Sequence, residues 1–252
     1  EEQEVHRCGM EEAMANMSAE MKQAMLSNTL KTDAQAAELL IFLDFDGAVV
    51  RPGNGTAQGG FVTSPLVNST RTCSPPNLTT EQKNTIIELV KDDFSPFNIQ
   101  FTTEQSVYDA YPMADKQVCI VTTVPSVLGQ PNFVSGVSPF FGLTFRLNNN
   151  PCFVFASVYG NLLTEIAFTI SHEVGHTMGL GHQSRYDQNC NFSSEYHSGF
   201  GTGPLSFVPI MGNSFGKRII NWFAQPCLVT GYGFPQIPQN DFVFLNDQVE
   251  LK

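Results

Sequence analysis

Residues 171–182 read SHEVGHTMGLGH, and they are the most informative segment of the chain. On an α-helix, His172 and His176 lie one turn apart on the same face, so both imidazoles can bind one cation. Gly179 accepts the left-handed backbone that ends a helix and turns the chain back. His182 then completes a set of three nitrogen ligands. The fourth position of such a zinc site stays open for water, which is typical of a catalytic metal.

Glu173 follows the first histidine and points to a neighbouring position on the helix. A carboxylate there can reach the water at the open position but is not placed to be a third ligand. The pattern therefore predicts zinc-dependent hydrolysis, with Glu173 as the general base. The alternative is that these are ordinary helix histidines that only form hydrogen bonds. Three of the five histidines in the chain fall in this segment, which favours the metal site.

The composition is that of a globular protein. The chain has 252 residues, of which 42% are hydrophobic and 15% charged, enough for one sizeable core. The formal net charge of -11 argues against nucleic acid and anionic membrane as partners. No apolar run reaches the roughly 18 residues that span a bilayer. We therefore expect a monomer with no membrane span. Residues 1–4, EEQE, lack signal-peptide character, so we expect any signal to have been removed.

The six cysteines are scattered along the chain, at Cys8, Cys73, Cys119, Cys152, Cys190 and Cys227. None forms a CxxC pair, so a structural zinc knuckle is not expected. A scattered even number fits disulfides formed in an oxidising compartment, and we expect a secreted, extracellular protein. The sequence leaves the connectivity open.

The order of predicted elements is that of a mixed α/β lobe followed by a loop-rich lobe. Helices are predicted at Glu11–Leu30, from Thr79 or Thr80 to Phe94, at Leu162–Met178 with Asn161 as cap, at Arg218–Phe223 and at Asn240–Leu245. Strands are predicted at Glu38–Phe45, Asn98–Thr103, Gln117–Thr123, Phe140–Arg146 and Cys152–Tyr159. Residues 51–78 are rich in Gly, Pro, Ser, Thr and Asn and are expected to form a long loop.

The pattern HExxHxxGxxH at residues 172–182 resembles the metzincin clan of zinc metallopeptidases. That clan has a tight turn with a methionine beneath the metal, and VPIMG at residues 208–212 offers Met211 for that role. Asn213 stands where some families place a tyrosine ligand, which makes the astacin and serralysin families a poorer match. A group of secreted bacterial metzincin-like proteases is also similar over most of residues 38–247, at the segments LDFDG (43–47), DDFSPFN (92–98), FTT (101–103) and FVPIMG (207–212).

The resemblance implies an α/β (α+β) metzincin-like fold, with a twisted, mostly parallel sheet, a backing helix and an active-site helix. The catalytic domain would cover residues 37–252, with an upper subdomain at 37–181 and a loop-rich lower subdomain at 182–252. The implied activity is that of a zinc endopeptidase on polypeptide substrates. An edge strand near Cys152–Tyr159 would pair with an extended substrate. Tyr196 and His197 are candidate substrate contacts, although such residues more often fill a loop.

Asp44 and Asp46 are candidate calcium ligands, although carboxylates at a strand end more often cap a turn. Two readings other than a peptidase stay open. One is a non-catalytic secreted adhesin or binding module with a vestigial zinc site, against which the intact Glu173 argues. The other is a metalloenzyme with a non-protein substrate, such as a deacetylase or amidase.

The segment RCG at residues 7–9 resembles the cysteine switch of latent matrix metalloproteases. In that arrangement residues 1–36 form an inhibitory pro-segment, with Cys8 as a thiolate ligand on the zinc. The alternative is that Cys8 forms a disulfide. If Cys8 binds zinc and Cys119 is a buried thiol, four cysteines remain for two bridges. Cys190–Cys227 is the preferred pair.

Overall fold

The computed structural model describes most of the chain beyond the N-terminal segment. The described residues are 7–8, 38–55, 57–139, 149–160, 162–213, 219–224, 240–242, 245 and 249, and for residues 7–8 and 58 only the backbone is described. The helix expected at Glu11–Leu30 and the strand expected at Phe140–Arg146 lie outside these residues.

Fourteen short strands and three α-helices make up the described structure. The strands are β1 (Arg7–Cys8), β2 (Leu39–Asp44), β3 (Ala48–Pro52), β4 (Ala57–Gln58), β5 (Phe61–Ser64), β6 (Arg71–Cys73), β7 (Ile99–Thr102), β8 (Lys116–Thr122), β9 (Val134–Val137), β10 (Cys152–Phe155), β11 (Arg185–Tyr186), β12 (Phe192–Ser194), β13 (Phe207–Pro209) and β14 (Ile219–Asn221). The helices are α1 (Thr80–Asp93), α2 (Gln105–Ala110) and α3 (Leu163–Thr177). Short 3-10 helices occur at Met113–Asp115, Pro125–Leu128, Ala156–Tyr159 and Gly203–Leu205.

The central sheet has six strands in the order β1-β9-β10-β8-β2-β7. Strands β7, β2, β8 and β10 are mutually parallel, and β9 runs antiparallel to β10. The mixed α/β class with a mostly parallel central sheet is therefore confirmed. Continuous burial of β2 and β8 explains why both strands were easy to predict, since a parallel strand covered on both faces is apolar along its length.

Helices α1 and α3 cover one face of this sheet. Ile86 and Val90 of α1 pack in one buried cluster with Ile166 and Ile170 of α3 and with Ile41 of β2. The start of α1 is fixed by a capping box, in which the Thr79 hydroxyl accepts from the Gln82 backbone and the Gln82 side chain accepts from the Thr79 backbone. Of the two caps that the sequence offers, Thr79 and Thr80, the structure uses Thr79.

The expectation of a long loop over residues 51–78 is wrong for much of its length. Strands β3 to β6 form a second sheet, in the order β4-β5-β3-β6, on the other face of the central sheet. Its apolar residues Val50 and Val62 are buried with Val118 and Ile120 of β8. These strands have two to five residues each, so their alternation was hidden by the turn residues between them.

Three further expectations are corrected. The strand near Cys152–Tyr159 ends at Phe155 and lies between β8 and β9, so it is not the sheet edge. Its neighbour on that side is β9, which the sequence did not predict, and β1 lies outside β9 at the edge of the sheet. Residues 219–221 form strand β14 and not the helix expected at Arg218–Phe223. Leu162, without a side-chain hydrogen bond, is the N-cap of α3 in place of Asn161.

The cysteines give a mixed outcome. Cys119 is a free buried thiol, as expected. Cys73 and Cys152 are also free and buried, so the second disulfide expected from the cysteine count is wrong. Cys227 lies outside the described residues, and its pairing with Cys190 stays a prediction. None of the described helices has the length and apolar character needed to cross a bilayer.

Asp93, at the end of α1, joins that helix to α3 and to the segment after Met211. Its carboxylate accepts a 2.6 Å hydrogen bond from the Ser171 hydroxyl, and its backbone carbonyl accepts one of 2.7 Å from the indole of Trp222. Burial raises the pKa of Asp93 from 3.8 to about 7, against a smaller lowering by the Ser171 hydrogen bond. The neutral acid is therefore the form that the fold favours.

This raised pKa makes stability depend on pH. The unfolded chain ionises Asp93 near its ordinary pKa, so the free energy of unfolding should fall as the pH rises from about 4 to about 7. Asp93→Asn keeps the shape without the charge and should gain stability relative to the wild type over that window, by up to about 1.4 kcal/mol per pKa unit. Urea unfolding at several pH values measures this difference. Glu88→Gln, at an exposed carboxylate of the same helix, is the matched control, and an equal effect of Asp93→Asn at every pH would contradict the assignment.

Candidate metal centre

Helix α3 carries the first two histidines, and the turn after it carries the third. Gly179 has φ +99°, in the left-handed region, as the sequence predicted. The Leu180 amide donates back to the Gly175 carbonyl at 3.0 Å, which closes the helix and turns the chain. As a result His172, His176 and His182 lie together, and one ligand nitrogen from each falls within 4.8 Å of the others. All three side chains are buried.

Each of the three imidazoles has its Nδ1 against a hydrogen-bond acceptor. For His172 the acceptor is the Ile210 carbonyl at 2.7 Å, and for His176 it is the Leu180 carbonyl at 2.7 Å. For His182 it is the Glu195 carboxylate at 2.9 Å. Carbonyl and carboxylate oxygens only accept, so Nδ1 carries the proton in all three rings. Histidines that bind a metal through one ring nitrogen usually donate the N–H of the other to such an oxygen acceptor.

The three Nε2 atoms are then unprotonated, and their lone pairs are directed at a common space. The Nε2 atoms of His172 and His176 are 3.0 Å apart. Nε2 of His182 is buried without a hydrogen-bond partner among the described residues. Leaving such an atom unsatisfied costs about 1–3 kcal/mol, and two lone pairs at this distance repel. A cation among the three nitrogens removes both penalties.

Protonation of the rings is a poor alternative to a metal ion. Burial lowers the pKa of His172 from 6.5 to about 4, with a smaller opposing effect from the hydrogen bond to Ile210. Burial, followed by the neighbouring histidines, holds the pKa of His176 well below its usual value, and burial followed by His172 does the same for His182. All three imidazoles are therefore neutral at pH 7, which is the form that binds metal.

The donor set fits zinc. Zinc bound to histidine has Zn–N distances of about 2.0–2.1 Å, so tetrahedral ligand nitrogens lie about 3.3 Å apart. The 3.0 Å separation of Nε2 in His172 and His176 is close to that value. Among the described residues, the histidine triad is the only group of three or more His, Cys, Asp or Glu side chains that could hold an ion.

Met211 lies in contact with the helix between the first two histidines. A methyl group on Gly175 would be 2.7 Å from the Met211 sulfur, so the glycine is what lets the methionine approach. The turn that carries Met211 is closed by a 2.9 Å hydrogen bond from Gly212 to Pro209, and the Met211 carbonyl accepts from the Gln183 amide at 2.7 Å. This turn also supplies the Ile210 carbonyl that orients His172. The three histidines and Met211 thus share one hydrogen-bonded framework.

Glu173 is buried against strand β9. A methyl group on Gly136 would lie 2.5 Å from Oε1 of Glu173, so the carboxylate rests on the bare Cα of that glycine. Gly136 has no positive φ, and the contact with Glu173 alone explains why a side chain is excluded there. The N-terminal strand β1 runs along the same edge, with Cys8 as the register partner of Gly136.

The other predicted site residues are placed as follows. The Tyr196 ring lies 4.2 Å from that of His182, centroid to centroid. His197 is buried away from the triad, with its ring against Phe200 and Phe223, and its Nδ1 accepts from the Gly199 amide. Asp44 and Asp46 have partners of their own, since Asp44 accepts from the Asp46 amide and Asp46 pairs with Lys83. Calcium there stays a prediction.

Two residues of the site were missed from the sequence. Glu195 gives no sequence signal, because its contact with His182 spans thirteen residues of irregular chain. Gly136 did give one, since a glycine within a short apolar strand often marks close approach of another group.

The fold and the site together define an α/β protein with a three-histidine cluster that could hold a metal ion. No known family model, no curated protein and no solved structure matches the chain.

If the triad binds zinc, the purified chain should take up one ion, and a chelator should lower its melting temperature. Free zinc at 100 times the dissociation constant should stabilise the fold by about 2.7 kcal/mol. His176→Ala should abolish this stabilisation. His197→Ala, which removes a buried histidine outside the triad, should retain it.

Zinc binding should also persist at mildly acidic pH. Because the pKa of His172 is about 4, protons should begin to compete only below about pH 5, whereas ordinary histidines lose zinc from about pH 6.5 downward. Zinc titrations between pH 4 and 8 measure this. Affinity that falls steadily from pH 6.5 would contradict the depressed pKa.

Proposed function

We propose that this chain is a secreted zinc-dependent endopeptidase of the metzincin type, made as a latent zymogen. The observation that carries the proposal is the convergence of three neutral, Nδ1-protonated imidazoles. A buried glutamate, Glu173, follows the first of them on α3. A purely structural metal site needs no such carboxylate. The mostly parallel sheet, the helix α3 and the turn at Met211 agree with this class but are not specific to it.

The chemistry divides between the ion and the protein. Zinc held by three neutral histidines would keep its positive charge, lower the pKa of water and polarise a carbonyl oxygen. Glu173 acts as general base and removes a proton from the water that attacks the peptide carbonyl. Glu173 then delivers the proton to the leaving amine. Burial of Glu173 against Gly136 keeps the carboxylate in one position, so little ordering is required during the reaction.

Strand β9 supports a polypeptide as the substrate. It is the strand next to Glu173. Its outer edge, which β1 occupies in this structure, would offer backbone hydrogen bonds to an extended chain once β1 is released. A peptide that pairs along this edge passes Gly136 and therefore passes the carboxylate of Glu173. Backbone pairing of this type holds an unfolded chain without demanding particular side chains. It favours an endopeptidase over an enzyme for small acylated substrates.

The pairing of β1 with β9 supports latency. Residues Arg7 and Cys8 lie on the edge that a substrate would need, with Cys8 opposite Gly136. An occupied edge excludes a second strand, and a cysteine at this register is a suitable fourth ligand for zinc. In the proposed zymogen the N-terminal segment blocks the edge and Cys8 fills the open metal position. Cleavage within residues 9–37 would release the N-terminal segment.

Replacement of the general base tests the reaction. Glu173→Gln should lower kcat for hydrolysis of an unfolded protein substrate by at least about 100-fold, because general base catalysis contributes 10²–10⁴. Zinc content should be unchanged, since Glu173 is not a ligand. The assay uses chain nicked by a protease after Cys8. Unaltered hydrolysis in the variant would reject Glu173 as the general base. No hydrolysis in the nicked wild type would reject the peptidase and favour a binding module.

Replacement of Cys8 tests latency. Full-length Cys8→Ala should hydrolyse the same substrate without nicking, whereas the full-length wild type should be silent. The Cys8 thiol of the wild type should become reactive toward an alkylating reagent only after a chelator is added. Cys119→Ala, which removes a free core thiol, serves as control and should stay latent. A Cys8→Ala chain as inactive as the wild type would exclude the switch.

A further inference from the structure

The third histidine differs from the other two in the chemistry of its Nδ1 partner. His172 and His176 use backbone carbonyls, which carry no formal charge. His182 uses the carboxylate of Glu195, at 2.9 Å. The imidazole of His182 is 1% exposed and the Glu195 side chain 31%, so the pair is sheltered at the histidine and reaches solvent at the carboxylate.

We infer that Glu195 is a positioning residue of the metal centre, which sets the strength and geometry of the third ligand. An anionic acceptor on Nδ1–H pushes electron density toward Nε2 and makes that nitrogen a stronger donor to a cation. It also adds one negative charge to a site that otherwise has three neutral ligands and a divalent ion. The inference rests on the metal binding proposed above, since it concerns the same triad.

The segment around Glu195 is held in place from several sides. The Tyr196 ring lies against that of His182, and the Ser194 hydroxyl donates to the Tyr196 carbonyl at 2.9 Å. The His197 amide donates to the carbonyl of Gln183, the residue after His182, at 2.6 Å. The chain therefore returns to the third ligand immediately after Glu195, and this return fixes the carboxylate relative to the imidazole.

A surface ion pair would not have these properties. Exposed pairs contribute little to stability and tolerate movement of both side chains. Here the imidazole is buried, and its other nitrogen has no hydrogen-bond partner among the described residues. Loss of Glu195 would free the ring to rotate or to move its proton to Nε2, and either change withdraws the lone pair from the metal.

The test is the zinc affinity of the full-length chain, measured by competition with a chromophoric chelator. Glu195→Gln keeps an acceptor but removes the charge, and Glu195→Ala removes both. We expect affinity to fall about 10-fold in the first and towards 100-fold in the second, within the range found for such partners of metal ligands. The visible spectrum of the Co²⁺-substituted protein should shift in both variants.

A cycle with His182→Ala separates positioning from a general effect on the fold. In the His182→Ala background, Glu195→Gln should cause no further loss of zinc affinity. Glu88→Gln, at an exposed carboxylate paired with Lys91, is the control and should bind zinc as the wild type does.

The outcomes distinguish two kinds of failure. A wild type that binds no zinc overturns both the proposed function and this inference. A wild type that binds zinc, with Glu195→Gln equal to it in affinity and Co²⁺ spectrum, overturns the inference alone. An equal loss of affinity with and without His182 also overturns it.

Discussion

The structure of the centre depends on three hydrogen bonds that point away from it. Acceptors at Ile210, Leu180 and Glu195 take the Nδ1 protons, and the Nε2 lone pairs are thereby turned toward one another in a buried space. Such an arrangement is unfavourable in an empty protein, because it combines repulsion with unsatisfied polar atoms. It becomes favourable around a divalent ion. Orienting the three histidines in this way therefore costs folding free energy, and a bound ion offsets that cost.

Each acceptor comes from a different part of the chain. Leu180 follows α3, Ile210 belongs to the turn that carries Met211, and Glu195 follows β12. The hydrogen bonds of the three histidines therefore join helix α3 to the segments that follow it. Gly175 and Gly136 complete this junction, because the first admits the Met211 sulfur and the second admits the Glu173 carboxylate. Two glycines in regular secondary structure, which normally weaken an element, are explained by what lies against them.

The sequence predicted those parts of the molecule where residue type and spacing act locally. The start of α1 near Thr79 or Thr80 and the helix stop at Gly179 depend on a few adjacent residues, and the histidine triad depends on one helix and its turn. Strand β9 and the second sheet were missed because short strands acquire their order from neighbours distant in the chain. The edge was assigned to Cys152–Tyr159, since strand order follows from topology and not from composition. The contact of Glu195 with His182 could not be predicted for the same reason, since it too depends on how distant segments are arranged.

The free thiols of the central sheet have a practical consequence. Cys119 and Cys152 are register partners on neighbouring parallel strands, and both are fully buried in the native fold. When heat opens the sheet, both sulfurs should reach solvent together, where dissolved oxygen can oxidise them to disulfides that the native strands do not contain. Such disulfides should hinder refolding and make the midpoint of a melt depend on heating rate. Under such conditions shelf life is governed by how often the sheet opens, and a reductant lengthens it.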